Sequence, residues 1–224
     1  IFASNVFLKK KYYKLYQSYY RKLSKLKKNI KILNKKYKNI CAMQIRNAPH
    51  FGHEAVFKHL LDKFDLVVLN PIFGIKKKND FSDQIISKSL KFMEKKYKRL
   101  KFLPIWSNFH YAGPREAVHH MIMRENLGFD YFYVGRDHAG AENLYNFDSS
   151  VNEVIKHKSK FNIRYSTSRG GYYCSKCRKY LIKNSCNHTK LENISGTEFR
   201  KFLKLKKNYK HADDNLQKLI TKNI

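Results

Sequence analysis

The sequence contains few acidic residues. It has 17 Asp and Glu against 47 Lys and Arg, which gives a formal net charge of +30 at pH 7. It has no apolar run near the ~18 uncharged residues that a membrane-spanning helix needs, so we do not expect a membrane protein. With four cysteines in 224 residues, it also lacks the density of thiols that a disulfide scaffold requires.

The residues that are present are sufficient for a buried core. A hydrophobic content of 42%, with 15% aromatic residues, excludes a fully disordered chain. The excess of positive charge is typical of proteins that bind nucleic acid, phosphates or anionic membranes. However, 37 of the basic residues are Lys and ten are Arg, and Ile, Asn and Tyr are also abundant. We therefore interpret the charge mainly as compositional drift of the coding sequence, and nucleic acid is not an expected partner.

The first 40 residues are predicted to be a basic arm or linker with helical tendency. They contain thirteen Lys and Arg and no acidic residue. The chain begins with Ile1 rather than methionine, so we expect that it has been trimmed, and we find no secretory signal. Apolar residues recur in this segment at the helical spacings of three and four, at Leu23, Leu26, Ile30 and Leu33.

Predicted strands and helices alternate along residues 41–168. The predicted strands are continuous apolar runs, and helices are predicted after them, one with Ser82 as its N-cap and one that ends at Gly128. This alternation predicts an α/β fold with a doubly wound parallel sheet. Ligands of such sheets bind beyond the carboxyl ends of the strands. The predicted strands begin at Ile40, Leu66, Lys101 and Asp130.

Two histidines, His50 and His53, follow the first predicted strand and open the first helix, with Gly52 between them. A helix N-terminus presents free N–H groups and partial positive charge, which favour phosphate. Imidazoles three positions apart lie on the same side of the helix and can donate hydrogen bonds to phosphate oxygens. This pattern is that of the HxGH nucleotidylyltransferases; the alternative is that both histidines are capping or core residues.

Three longer strings define a family resemblance. QIRNAPHFGHE, HYAGPREAVHHMIMRENLGFDYFYVGRDHAG and ISGTEFR occur in this order. Together they resemble ATP sulfurylase (sulfate adenylyltransferase) over residues 41–206. The resemblance implies a Rossmann-like nucleotidylyltransferase fold and the reversible reaction of ATP with sulfate to give adenosine 5′-phosphosulfate and pyrophosphate.

The resemblance also implies roles for individual residues. Gln44 and Arg46 would bind sulfate, with the backbone near Ala139. Asn47, His50 and His53 would bind the ATP phosphates and stabilise the pentavalent α-phosphorus, together with the charge of Arg46 and Arg136. The nucleotide site would further comprise Gln44, Gly113, Arg115, Gly135, Arg136, Asp137, His138 and a second phosphate-binding turn of Ser195, Gly196 and Thr197, followed by Arg200.

The implied chemistry suits these residue types. Sulfate is fully ionised near neutrality and needs no base, so catalysis consists of positioning and charge stabilisation. Arginine pairs with two oxoanion oxygens at once. Mg²⁺ would arrive bound to ATP, since the sequence offers no dedicated carboxylate cluster for it.

Two departures from the family pattern keep alternatives open. The family usually has threonine where this sequence has Ile45, and losing one hydroxyl donor would reduce the rate by about 10- to 100-fold. The true substrate could then be another oxoanion, or the chain a weakly active homologue. The β-rich domain that normally precedes the catalytic one is also missing, as in a fragment. An alternative of another class is a basic nucleic-acid-binding protein with a zinc knuckle.

A cysteine cluster follows the α/β region. Cys174 and Cys177 form a Cys-x-x-Cys knuckle, and Cys186 and His188 follow it, a spacing typical of structural zinc sites. His188 is the nearest candidate for the fourth ligand. Free thiols, or a redox pair of Cys174 and Cys177, remain as alternatives, and Cys41 is expected to be a buried strand residue.

The predicted organisation is therefore a basic arm (1–40), the nucleotidylyltransferase domain (41–168), a zinc-knuckle hairpin (169–192) and a segment with the second turn and C-terminal helices (193–224). Reduced thiols that hold a metal favour the cytoplasm. The resemblance adds a homo-oligomer as an expectation.

Overall fold

We describe residues 10–76, 80–135, 138, 144–146, 148–182 and 185–222 of a computed structural model of the protein. The helices are α1 (Lys10–Lys36), α2 (Phe51–Leu61), α3 (Asp83–Lys96), α4 (Pro114–Leu127), α5 (Ser149–His157), α6 (Gly196–Lys204) and α7 (Asp214–Thr221). The strands are β1 (Ile40–Met43), β2 (Leu66–Leu69), β3 (Ile72–Phe73), β4 (Leu100–Phe102), β5 (Ile105–Trp106), β6 (Tyr131–Val134), β7 (Arg164–Thr167), β8 (Gly171–Cys174), β9 (Lys179–Ile182) and β10 (Leu191–Asn193).

A five-stranded parallel sheet forms the centre of the molecule, in the order β4-β2-β1-β6-β7. Alternate residues of β1 point to opposite faces, as the period of two in a strand requires. Cys41 and Met43 belong to one buried apolar cluster, whereas Ile40 and Ala42 belong to the other. Helices α2, α3, α6 and α7 contribute to the first cluster and α1, α4 and α5 to the second, so the predicted doubly wound α/β fold is confirmed.

Two of the predicted strands are each divided by a proline. The runs that begin at Leu66 and Lys101 were each predicted as one strand, but β2 is separated from β3 near Pro71, and β4 from β5 near Pro104. Proline has no N–H to donate to a sheet. Strands β3 and β5 instead pair with each other in a separate two-stranded sheet, with Ile72 opposite Ile105.

The described part of the basic segment, from Lys10 onward, is helical and packs against the α/β core. Residues 10–36 form α1, and Leu26 and Ile30 on this helix are buried in the second cluster. Its helical tendency is thus confirmed, and tertiary contacts hold the helix on the domain. The boundaries predicted between domains stay predictions.

Helix termini follow the local signals. The Ser82 hydroxyl accepts a hydrogen bond from the Ile85 backbone N–H, so Ser82 caps α3 as predicted. Gly128 ends α4 with φ of +92°, in the left-handed region that glycine adopts without steric penalty. None of the helices in the described ranges is both long and apolar enough to cross a membrane.

The cysteine segment is a three-stranded antiparallel sheet, in the order β10-β8-β9, rather than a hairpin alone. Its strand β8 begins at Gly171, which lies against Gly52 in the first turn of α2. A Cβ atom on Gly171 would lie 2.1 Å from the Gly52 carbonyl oxygen, so this close approach requires glycine.

Candidate active site

A cavity of about 280 Å³ opens at the carboxyl ends of β1 and β6, the predicted place for a ligand. Both strands deliver their loops to it, because parallel strands end at the same edge of a sheet. The lining residues are Met43, Gln44, Ile45, Arg46, Asn47, His50, Gly52, His53, Val56, Phe109, Tyr133, Gly135, His138, Gly170, Gly171, Ile194 and Gly196.

Eight of the residues predicted for the sulfate and nucleotide sites line this cavity. Ser195 and Thr197 flank its lining residue Gly196, whereas Gly113 and the exposed Arg115 are not among the lining residues. Arg136, Asp137 and Ala139 lie outside the described residues. The roles assigned to all these residues remain predictions. Those that line the cavity are Gln44, Arg46, Asn47, His50, His53, Gly135, His138 and Gly196.

The two histidines of the first turn lie side by side. Their ring centroids are 3.9 Å apart, and the His50 backbone N–H donates to Nδ1 of His53 over 3.3 Å. Since Nδ1 of His53 accepts, its proton is on Nε2, which is then a donor for a ligand. Nδ1 of His50 is buried and has no hydrogen-bond partner among the described residues. Both rings are thus prepared for a polar ligand.

Burial keeps these imidazoles neutral. It lowers the pKa of His53 from 6.5 to about 4. It lowers the pKa of His50 well below its usual range, with a further contribution from the neighbouring His53 and His211. At neutral pH both side chains can therefore donate hydrogen bonds without carrying positive charge.

The second predicted turn lies next to the first. The Ser195 hydroxyl caps α6 by accepting a hydrogen bond from the Glu198 N–H over 3.3 Å. A Cβ atom on Gly196 would lie 3.2 Å from Nδ2 of Asn47 and 3.9 Å from Nε2 of His50. The N-termini of α2 and α6 therefore both reach the cavity, which is where two phosphate-binding turns would cooperate.

Two amide side chains also lack partners at the cavity wall. The side-chain oxygens of Gln44 and Asn47 are buried and make no hydrogen bond within the described part of the chain. The orientation of an amide is assigned from its hydrogen bonds, and a bound oxoanion would select the orientation with NH₂ toward it. Unpaired buried amides are costly unless a ligand or water satisfies them.

Asp80 lies beside the candidate site, in contact with its lining residue Arg46, and the sequence motifs did not indicate it. Its side chain is 8% exposed, and its Oδ1 accepts a hydrogen bond from Nη1 of Arg200 over 3.1 Å. Its Oδ2 lies 3.9 Å from Nε of Arg46 and accepts a hydrogen bond from the Tyr111 hydroxyl over 3.0 Å. No motif signals this residue, because its partners are 34, 120 and 31 positions away in the sequence.

Three buried side chains, Glu116, His120 and His138, lie next to one another in a row, and the sequence motifs did not indicate these contacts. The Glu116 carboxylate accepts N–H bonds of 2.9 Å from His110 and Ala112 and lies 3.3 Å from Nε2 of His120. Burial alone would raise the pKa of Glu116, but the neighbouring His120 and the backbone bonds hold it at about 2.

The two histidines share one hydrogen bond. Nδ1 of His120 lies 3.0 Å from Nε2 of His138, and which nitrogen donates depends on the tautomers. Nε2 of His120 lies 3.3 Å from the Glu116 carboxylate but has no hydrogen-bond partner among the described residues. Burial lowers the pKa of His120 to about 4 and that of His138 well below its usual range. His138 at the cavity is therefore neutral at pH 7.

The four predicted metal ligands lie together. The candidate ligand atoms of Cys174, Cys177, Cys186 and His188 all lie within 4.8 Å of one another. Nδ1 of His188 is 3.4 Å from Sγ of Cys174 and 3.3 Å from Sγ of Cys177. Tetrahedral zinc with usual bond lengths places sulfur and nitrogen ligands about 3.6 Å apart, so the set fits zinc.

The cysteines differ in ionisation. The Cys177 backbone N–H donates to Sγ of Cys174, and with bonds from nearby side chains it lowers the pKa of Cys174 to about 6. A thiolate at this position suits a metal ligand. Cys41 in β1 is fully buried, burial raises the pKa of its thiol, and it lies outside the cluster, as expected.

The chain is similar in sequence and in fold to known proteins. The sequence model of ATP-sulfurylase matches residues 17–211. The chain belongs to the ATP-sulfurylase family. The sulfate adenylyltransferase of Ignicoccus hospitalis is 38% identical over 174 residues, which are 75% of this chain and 45% of the relative. That of Persephonella marina is 34% identical over 195 residues, 84% of this chain and 50% of the relative.

This ATP-sulfurylase-family chain spans about half the length of these curated relatives. A solved structure described as a hexameric APS kinase from Thiobacillus denitrificans superimposes with a TM-score of 0.68 at 13% identity, over 89% of this chain and 39% of that one. This likeness shows a shared fold. The family resemblance read from the three motif strings is thus confirmed.

Proposed function

We propose that this chain carries the adenylyl-transfer site of a sulfate adenylyltransferase, the activity named for its relatives. The observation that carries the proposal is the meeting of two helix N-termini, α2 and α6, at one cavity that Arg46 also lines. Polyanion substrates require donors and positive charge from several directions, and this arrangement provides both.

Sulfate binds beside the end of β1 in this proposal. Gln44 and Arg46 line the cavity there, and the unpaired amide of Gln44 can turn its NH₂ toward an oxoanion. The guanidinium of Arg46 can pair with two sulfate oxygens. Ala139 is predicted to complete this pocket. It lies outside the described residues and belongs to the proposal because of the family resemblance alone.

The triphosphate of ATP lies along the two turns. Asn47, His50 and His53 donate to phosphate oxygens from the first turn, and Ser195, Gly196 and Thr197 form the second. The neutral imidazoles give most stabilisation where negative charge grows on the α-phosphoryl oxygens in the transition state. The predicted nucleotide residues Gly113, Arg115, Arg136 and Asp137 belong to this proposal as well.

The reaction needs positioning rather than a base. A sulfate oxygen attacks the α-phosphorus, a new P–O bond to sulfate forms, and the bond from the α-phosphorus to the bridging oxygen of the β-phosphate breaks. Pyrophosphate leaves with that electron pair, and no proton moves, because sulfate is already ionised. Mg²⁺ accompanies ATP and offsets part of the charge of its phosphates.

The cysteine cluster holds a structural zinc ion in this proposal. Three thiol sulfurs and Nδ1 of His188 supply a Cys₃His set for tetrahedral zinc, and zinc in such a set stabilises the small sheet that carries it. Thiols kept reduced for zinc agree with a cytoplasmic protein. A homo-oligomer is likewise a proposal, which light scattering of the purified chain would test.

A second candidate is transfer to a different oxoanion. It is favoured by Ile45, which lines the cavity, is 3% exposed and has no hydroxyl to donate. Adenylyl transfer to selenate or molybdate would use the same residues, because these anions are also tetrahedral and doubly charged.

The test is ATP formation from adenosine 5′-phosphosulfate and pyrophosphate with Mg²⁺. We expect turnover by the chain, and loss of turnover in Arg46→Ala, which also excludes a contaminating enzyme. Arg164→Ala is the matched control, since Arg164 stacks on Tyr131 at the sheet surface and does not line the cavity. Absence of turnover, with selenate-dependent release of pyrophosphate from ATP, would replace sulfate by the second candidate. Absence of both reactions would contradict the proposal.

A further inference from the structure

Asp80 is a buried carboxylate beside the cavity that the proposed reaction does not use. Its two oxygens contact groups from three separate parts of the chain: Arg46 after β1, Tyr111 before α4, and Arg200 on α6. With a side-chain exposure of 8%, it is far more buried than a surface ion-pair partner. A carboxylate this buried is stable only when it is paired and hydrogen-bonded.

The two arginines are held differently. Nη1 of Arg200 is within hydrogen-bond distance of Oδ1, at 3.1 Å, and Nη2 of Arg200 donates to the Thr197 hydroxyl over 3.3 Å. Arg46 approaches through Nε, at 3.9 Å from Oδ2, which is attraction without a hydrogen bond. Asp80 therefore anchors Arg200 firmly and faces the Nε side of Arg46.

This arrangement leaves the terminal nitrogens of Arg46 for a ligand. Among the described residues, Arg46 makes one ion pair, through Nε, and its guanidinium lies 5.9 Å from the centre of the Tyr111 ring. A carboxylate on the Nε side and an aromatic ring nearby restrict the guanidinium to few orientations. Without Asp80, the positive charges of Arg46 and Arg200 would also lose the carboxylate that compensates both of them.

We propose that Asp80 is a positioning residue for oxoanion binding: it orients Arg46 toward the cavity and links it to Arg200 on the helix of the second turn. The inference rests on the proposed function, since Arg46 is the residue assigned to sulfate. It predicts that Asp80 determines the affinity for sulfate. The affinity for ATP depends on the first turns of α2 and α6, which Asp80 reaches only through Arg200 and its bond to Thr197.

The variant Asp80→Asn tests this link, because it keeps the shape of the side chain and removes its charge. We expect the KM for sulfate to rise by about 10- to 100-fold. The KM for ATP and kcat should change by less than about threefold, since the transition-state donors remain. Asp80→Glu, which keeps the charge, should recover part of the affinity. Glu94→Gln, in a partly exposed pair with Lys101 that does not line the cavity, is the control and should match the parent chain.

A second variant covers the case in which Asp80→Asn does not fold. Arg200→Gln removes the other end of the link and should raise the KM for sulfate in the same way. If both variants fold, the double variant should be no worse than the more affected single one, because both interrupt one connection. Additive effects in the double variant would contradict the link.

Direct titration of the chain with sulfate separates this inference from the proposed function. If the parent chain shows no turnover but binds sulfate, the proposed function fails, and weaker binding by Asp80→Asn still supports the positioning role. If Asp80→Asn binds sulfate as tightly as the parent chain, or if the KM for ATP rises as much as that for sulfate, the positioning role is wrong. Failure of the folded parent chain to bind sulfate overturns it as well.

Discussion

The two ends of the cavity offer different kinds of anion donor. At one end Arg46 lines the cavity and carries permanent charge, and the carboxylate of Asp80 pairs with it and with Arg200 behind it. At the other end His50 and His53 have pKa values lowered by burial, so they are neutral donors in a first helical turn. Charge is concentrated where sulfate is proposed to bind, and oriented dipoles where phosphorus is proposed to react.

The difference shows how a buried site can remain stable without substrate. A guanidinium is always charged and needs a counterion in the empty site, which Asp80 provides. Neutral imidazoles need no counterion. The hydrogen bonds that their N–H groups donate to the substrate become stronger as negative charge develops on it. Five predictions test this division, beginning with the largest expected effect.

Removing either imidazole should reduce turnover most. His50→Ala or His53→Ala is expected to lower kcat by about 10²- to 10³-fold, the usual effect of losing one transition-state donor. Steady-state kinetics of ATP formation measure this. His59→Ala, on the same helix but not lining the cavity, is the control and should retain activity. Undiminished turnover in both site variants would remove the neutral donors from the mechanism.

The first turn of α2, which carries His50 and His53, should also depend on the three-stranded sheet that holds the cysteine cluster. Gly171 of β8 lies against Gly52, and the Tyr180 ring of β9 is 4.7 Å from that of Phe51. Cys177→Ser or chelation should lower the melting temperature by at least about 5 °C, because structural metal binding stabilises the fold.

Zinc analysis with thermal melting checks this second prediction. The parent chain should contain about one zinc ion per chain. Lys176→Ala, between the two knuckle cysteines, should keep the metal and melt like the parent chain. A metal-free parent chain whose melting is insensitive to chelators would show that the cluster is not a zinc site.

The third prediction concerns Ile45, which lines the cavity next to Arg46 and has no hydroxyl to donate. Ile45→Thr is expected to raise turnover by about tenfold, since one more donor reaches the anions. It should also lower the melting temperature, because Ile45 is 3% exposed in the core cluster. Ile45→Val has the shape of threonine without the hydroxyl, so kinetics of the two variants isolate that group. Equal turnover in both would show that no hydroxyl is needed.

Acid should destabilise the fold through its neutral histidines. The folded pKa of His120 is about 4 against 6.5 in the unfolded chain, so between these values the unfolded chain binds a proton that the folded one does not. The free energy of unfolding therefore falls as pH drops from 6.5 toward 4, by on the order of 1 kcal/mol per pH unit for such a histidine.

Thermal melting between pH 7 and pH 5 measures this fourth prediction. His120→Asn should show a smaller loss than the parent chain over this range. His157→Asn, at a half-buried pair with Glu153 outside the cavity lining, should show the full loss. Parallel curves for all three chains would contradict a neutral His120.

The smallest effect is expected from the basic helix α1. Lys28 is exposed, and Lys28→Glu should change the KM for sulfate by less than about twofold at physiological salt, because distant surface charges are screened. Kinetics at 0.15 M salt would test this. A change as large as that expected for Asp80→Asn would mean that bulk charge, rather than the oriented Arg46, attracts the oxoanion.

Much of the fold could be predicted from local signals. Continuous apolar runs and the helical spacing of apolar residues predicted the parallel sheet, and Ser82 and Gly128 predicted helix boundaries, because these signals act within a few residues. The packing of α1 could not be predicted in this way. Leu26 and Ile30 form an apolar stripe whose partners, on β5 and α4, are far away in the sequence.

The parts of the candidate site that lie within one sequence motif could be predicted. The parts that depend on contacts between distant residues could not. His50 and His53 belong to one turn, so their spacing predicts their proximity. Asp80 and Arg200 meet across 120 positions, and His120 and His138 across 18, by tertiary packing alone. The Cys₃His set was predictable because three of its four members follow within fourteen positions of Cys174.

The most direct test of the division between the two ends is an NMR titration of the histidine rings. The ring resonances of His50 and His53, assigned with the two alanine variants, are followed from pH 8 to pH 5.5. The account predicts that both stay in the neutral form throughout, with the proton of His53 on Nε2. Titration of either ring near pH 6.5 would show that imidazolium supplies the charge at this end, and would contradict the account.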